Sequence, residues 1–91
     1  MGNNLVPLYY AILKLFLDNE KRCAQDVIDA LEPDYGGYKL LIPKDVEEAL
    51  ATAKENGLLD EVDCDIDANG TLLINYRINS FGEDMISRYI G

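Results

Sequence analysis

Ninety-one residues leave room for one domain, residues 1–91, whose small core buries roughly 60–65% of the unfolded chain's surface. With 48% apolar and 27% charged residues, the composition is that of a globular protein rather than a disordered tail or a collagen. The net charge of −9 runs as +1 over 1–22, −3 over 23–42, −3 over 43–60, −4 over 61–70 and 0 over 71–91, an acidic belt that repels phosphates and anionic lipid.

The first element is a helix from Pro7 to about Asp18, with proline at the first turn where its missing N–H costs nothing. Its hydrophobic run, residues 5–17, contains Lys14 and falls short of the ~20 residues of a membrane span. No Lys or Arg precedes it, so it is also a poor signal peptide, and a cytoplasmic chain with no membrane partner is expected. The helix is apolar nearly all round: Val6, Tyr9, Tyr10, Leu13, Phe16 and Leu17 form one stripe, Leu5, Leu8, Ile12 and Leu15 another. One stripe faces the core. The second is either a subunit interface, making the chain a homodimer, or the back of a central helix wrapped by the others.

A second helix over 24–31 buries Ala24, Val27, Ile28 and Leu31 and is expected to stop before Pro33. A loop follows, with Gly36-Gly37 between Tyr35 and Tyr38, leading to a short extended piece at Lys39–Ile42. The two tyrosines are either contact residues for a partner or part of a loop folded over the core. Pro43 then opens a third helix that turns Val46, Ala49, Leu50 and Ala53 inward and ends at Gly57. Its outward positions are Lys44, Asp45, Glu48, Ala51, Thr52 and Glu55.

Beyond residue 60 the period changes from 3.6 to 2. Val62, Cys64 and Ile66 alternate with Asp63, Asp65 and Asp67, and Leu72, Ile74, Tyr76 and Ile78 alternate with Leu73, Asn75 and Arg77, which predicts two half-buried strands with the first-named residues of each inward and the others outward. Between the two strands the stretch Asp65-Ile66-Asp67-Ala68-Asn69-Gly70 spells the opening of a calcium loop. Register offers another reading. A two-residue turn at Asn69-Gly70 sets Asp67 opposite Leu72, whereas a three-residue loop, Ala68-Asn69-Gly70, pairs Ile66 with Leu72, Cys64 with Ile74, Val62 with Tyr76 and Glu61 with Arg77. The three-residue loop needs a left-handed residue, which Gly70 supplies. Calcium binding is the minor alternative, since position 12 of such a loop is Tyr76 instead of a bidentate Glu.

A fourth helix runs from Ser80, with Ser80 and Glu83 as a capping box and Met85, Ile86, Tyr89 and Ile90 inward. Cys23 and Cys64 form no C-x-x-C pair, and without histidine no zinc set is apparent; free thiols in a reducing setting are expected. No cofactor, metal or catalytic residue is assigned, because periodicity turns the carboxylates outward.

The order helix, helix, helix, hairpin, helix resembles that of small bacterial winged-helix regulators. "YAILKLFLDNEKRCAQDVIDAL" is similar to their first two helices, "DVEEALATAKENGLL" to the third, and "YRINSFGEDMISRYI" to the exit from the wing, with Asn79 where threonine is common. The resemblance implies an α+β winged helix: a three-helix core, a two-stranded hairpin wing and a C-terminal helix. It also implies a third helix in the major groove and a wing on phosphates. Lys44 stands there beside Asp45, Glu48 and Glu55, and the wing offers Arg77 against Glu61, Asp63, Asp65 and Asp67. DNA is therefore possible but disfavoured by charge. A protein partner, itself basic, is the first expectation; a DNA regulator using Lys14, Lys21, Arg22, Lys39, Lys44 and Arg88 is the second.

Overall fold

The computed structural model describes residues 7–39 and 41–90. Pro7 precedes helix α1 (Leu8–Leu15), which tightens into a 3₁₀ turn at Phe16–Asp18 and ends at Asn19 in the left-handed conformation. Ala11, Ile12, Leu13 and Phe16 are buried, so both apolar stripes meet the molecule's own core. Ile12, expected at a subunit interface, is only 2% exposed, while Leu8 and Leu15 are half-buried against the core. Leu5 lies outside the described residues. Among the described residues α1 is thus the wrapped central helix.

Helix α2 (Ala24–Tyr35) runs past the expected stop and carries Pro33 in its last turn. Tyr35 explains the extension. It continues the stripe of Ala24, Val27, Ile28 and Leu31 and is 3% exposed. Burying a large side chain contributes about 1.5–3 kcal/mol, the order of the ~3 kcal/mol that a helix-interior proline costs. Tyr35 is therefore a core residue, not a loop contact. Tyr38 stays exposed and meets its ring edge-on, with centroids 5.0 Å apart.

The extended piece expected at Lys39–Ile42 does not form a strand among the described residues. Its backbone bonds locally instead, Tyr38 N–H to Tyr35 O and Leu41 N–H to Tyr38 O. Ile42 becomes the N-cap of α3 (Pro43–Glu55), which buries Val46, Leu50 and Ala53 against α2. Past Asn56 the chain closes a Schellman motif: Gly57, at φ 81°, donates to Lys54 O and Leu58 to Ala53 O.

Strands β1 (Leu59–Ile66) and β2 (Leu72–Ile78) form an antiparallel hairpin. Ile66 pairs with Leu72 and Cys64 with Ile74 as expected, and Gly70 holds φ 81°. The expected pairs of Val62 with Tyr76 and Glu61 with Arg77 are replaced by Glu61 with Tyr76 and Asp60 with Arg77, across a bulge at Val62. The reason is Leu59. A straight strand turns Asp60 toward the core and Leu59 away; the extra residue reverses both, placing Leu59 opposite Ile78 at 1% exposure.

Helix α4 (Ser80–Tyr89) is capped by Asn79 rather than Ser80: the Asn79 Oδ1 accepts from Gly82 N–H at 2.7 Å. Its amide also donates to Gly57 O at 2.9 Å and Asp60 Oδ1 at 3.2 Å, tying α4 to the start of β1. Gly82 and Ile86 are buried and Met85 and Ile90 half-buried, whereas Tyr89, expected inward, is 71% exposed. The architecture is α+β, a three-helix core with a two-stranded hairpin and a closing helix, in a winged-helix-like arrangement.

Candidate functional site

Helix α3 and the hairpin carry the residues that the winged-helix resemblance singles out for a partner. Lys44, Glu48, Thr52 and Glu55 are exposed along α3, and Asp45 is half-buried. Asp45, Glu48 and Thr52 form one wall of a shallow cleft of about 380 Å³ whose other wall is Leu8 and Ile12 of α1. The tip of α3 is tied to the wing by Lys54 Nζ, 3.4 Å from Glu61 Oε2.

The bulge sorts the wing's acids onto two faces. Asp60, Asp63 and Asp65 share a face with Arg77, Asn75 and Leu73, while Glu61 turns to the α3 side with Tyr76. Asn75 is 5% exposed, the one buried polar residue among those described. Its amide donates to Asp63 Oδ1 at 2.7 Å and to Asp65 Oδ2 at 3.0 Å. Lys21 Nζ completes the group at 2.6 Å from Asp63 Oδ2. The Lys21 ammonium, with Asn75 second, holds the Asp63 carboxyl below the usual carboxylate range. Alternation marked Asn75 as outward; its burial depends on Asp63 and Asp65 from the facing strand, and one strand's pattern carries no sign of that.

Asp67, half-buried, takes a different role. Its Oδ1 accepts from Asn69 N–H at 2.8 Å and Thr71 N–H at 2.9 Å, closing the loop in which Asn69 and Gly70 are exposed. Among the described residues no group of three His, Cys, Asp or Glu side chains is placed to hold a metal ion.

Residues 21–23 strap the wing to the helices. Arg22 exchanges two backbone bonds with Tyr76 at 2.9 Å each. Its guanidinium donates to Leu15 O and, through both nitrogens, to Asp18, and lies over the Phe16 ring. That fork holds the Asp18 carboxyl at about 2, helped by Glu20 N–H. Cys23 caps α2, and burial pushes its thiol up; Cys64 is exposed. Of the cations expected to converge on DNA, Lys21, Arg22 and Arg88 are thus paired with Asp63, Asp18 and Asp84. Lys14, Lys39 and Lys44 are exposed.

On the α3 side the wing turns out apolar surface. Val62, Ile66 and Leu72 are 41%, 70% and 54% exposed, although their alternation marked that face as inward. The hairpin projects beyond the helices, and only its base, at Leu59, Tyr76 and Ile78, is buried in the core. Between β2, the start of α2 and α3 lies a cleft of about 430 Å³.

The fold is winged-helix-like. The chain is similar to TA0346 of Thermoplasma acidophilum, described as a candidate transcriptional regulator, with a TM-score of 0.71 and 18% identity over 91% of this chain and 76% of that one. No protein-family model and no curated protein matches the chain. No helix among the described residues is long and apolar enough to cross a membrane.

Proposed function

We propose that this chain is a non-enzymatic winged-helix-like module that serves transcriptional regulation mainly through protein–protein contact. The observation that carries the reading is the character of the α3 and wing surface. Glu47, Glu48, Glu55, Asp63 and Asp65 stand exposed there, while Lys54 and Lys21 are engaged by Glu61 and Asp63. Phosphate contacts draw on Lys, Arg and small hydroxyl side chains, and each added carboxylate near a phosphate costs on the order of 1 kcal/mol before screening. Exposed Ile66 and Leu72 add apolar area of the kind that partner proteins cover. The likeness to TA0346 supports the regulatory setting, and the net charge of −9 favours a basic partner.

A second reading, a DNA-binding regulator, is favoured by Lys14, Lys39 and Lys44, which are exposed and make no ion pair among the described residues. One titration separates the two. Mixed-sequence duplex DNA is added to ¹⁵N-labelled protein at low salt, where even specific binders show non-specific association. Unmoved amides keep the interaction role. Shifts confined to residues 39–55 and the wing, fading as salt rises and lost in a Lys39→Glu, Lys44→Glu variant, replace it with DNA binding. Sedimentation at high concentration tests the homodimer separately; a strict monomer removes it.

A further inference from the structure

We propose that the outer edge of β2 accepts an extended, basic segment of a partner protein as a third strand of the wing. The inference rests on the interaction role above and names the mode and chemistry of the contact. Tyr76 gives both of its peptide groups to Arg22 and so turns them away from β1. Backbone direction repeats every two residues along a strand, so the N–H and C=O groups of Leu72 and Ile74 point to that same edge. Arg22 supplies a single bridge before α2 begins at Ala24, and no other described residue bonds to Leu72 or Ile74 there. An unpaired edge beside exposed apolar side chains is a template for a further strand.

The cleft of about 430 Å³ lies along this edge. Thr71, Leu72, Leu73 and Ile74, four consecutive residues, line it, as an approach along the edge of the strand requires. Pro43, Leu50 and Ala51 form its apolar far wall, giving alternate side chains of an added strand a place to insert. The charged residues of its lining are Glu47 and Asp67, with no Lys or Arg. A second copy of the chain, carrying −9, meets like charge at this rim; a segment alternating apolar residues with Lys or Arg meets the opposite charge.

The test uses the full ¹⁵N-labelled chain and a short blocked peptide of alternating lysine and valine, with an alternating glutamate and valine peptide as control. The expected result is amide shifts along residues 71–76 together with slowed hydrogen exchange at the Leu72 and Ile74 amides, and no response to the control. Leu72→Pro removes one edge donor while leaving the bonds to β1, and weakens binding by about tenfold. Glu47→Lys, which touches no backbone group, weakens it as well and serves if the proline variant fails to fold. Equal binding of the acidic peptide, shifts without exchange protection at Leu72 and Ile74, or no response at millimolar peptide overturns strand addition. If duplex DNA is also silent, only this mode of contact falls; if duplex DNA shifts α3 and the wing, the interaction role falls with it.

Discussion

Replacing Gly82 by alanine should destabilise the fold, although alanine is the better helix former by about 1 kcal/mol. A Cβ built at Gly82 lies 2.1 Å from the Leu58 carbonyl oxygen, 2.9 Å from its carbon and 3.1 Å from Ile78 Cγ1. Carbon–oxygen contacts normally lie near 3.3 Å, so the first turn of α4 must back away by about 1 Å. That movement pulls Gly82 N–H from Asn79 Oδ1 and loosens Ile86, which is 1% exposed. Overpacking costs about 1–3 kcal/mol, and losing the cap adds about 1 kcal/mol. Set against the propensity gain, the net loss is about 1–3 kcal/mol, a large share of the ~5–14 kcal/mol expected for a domain of this size. Urea unfolding followed at 222 nm should show a lower midpoint at unchanged slope, and Tm should fall by roughly 5–20 °C. A neutral or stabilising Gly82→Ala refutes the seating of α4 on the Leu58 carbonyl.

The caps give a paired prediction. Asn79→Ala should cost about 1–2 kcal/mol, since it removes the bonds to Gly82, Gly57 and Asp60 together, while Ser80→Ala stays within ~0.5 kcal/mol; urea midpoints of the two variants compare them directly. The Asp18 and Arg22 pair gives a pH dependence. The folded Asp18 carboxyl titrates at about 2, below its ordinary 3.8, so its contribution is complete above pH 3.8 and is lost as pH falls through 2. Asp18→Asn should therefore narrow its stability gap to the parent as urea titrations move from pH 5 toward 2, and a constant gap refutes the assignment.

The hairpin loop was legible because alternation and turn chemistry are local. Residues 66 and 72 had to share a face, and only a three-residue loop with Gly70 left-handed achieves that. The third helix was legible for the same reason, with Pro43 and Gly57 marking its ends. What escaped depends on partners distant in sequence. Pro33 signals a stop, yet Tyr35 reaches the core and holds one more turn. The capping box at Ser80 and Glu83 obeys a local rule, yet Asn79 also bonds to Gly57 and Asp60, 22 and 19 residues away in the chain, and so takes the cap. The wing's apolar face stands exposed at Ile66 and Leu72, and alternation tells only which side is apolar, not whether anything covers it. Of the candidate site, the acidic character was readable; the engagement of Lys21 by Asp63 and the burial of Asn75 were not.

The bulge at Val62 links the stability of the wing to its surface. Core burial of Leu59 demands the extra residue, and the same residue gathers Asp60, Asp63 and Asp65 on one face. Like charges two strand positions apart, near 7 Å, repel by about 0.6 kcal/mol even in water. The fold offsets part of this with Lys21 at Asp63 and the Asn75 amide between Asp63 and Asp65, both drawn from its own chain. These groups answer Asp63 and Asp65, on one face only. Glu47 and Asp67, at the cleft beneath the open edge of β2, stand outside every ion pair formed among the described residues. A cation brought by a partner strand would relieve repulsion there without competing against an internal one, so the charge that disfavours DNA at this wing favours a basic strand beside it.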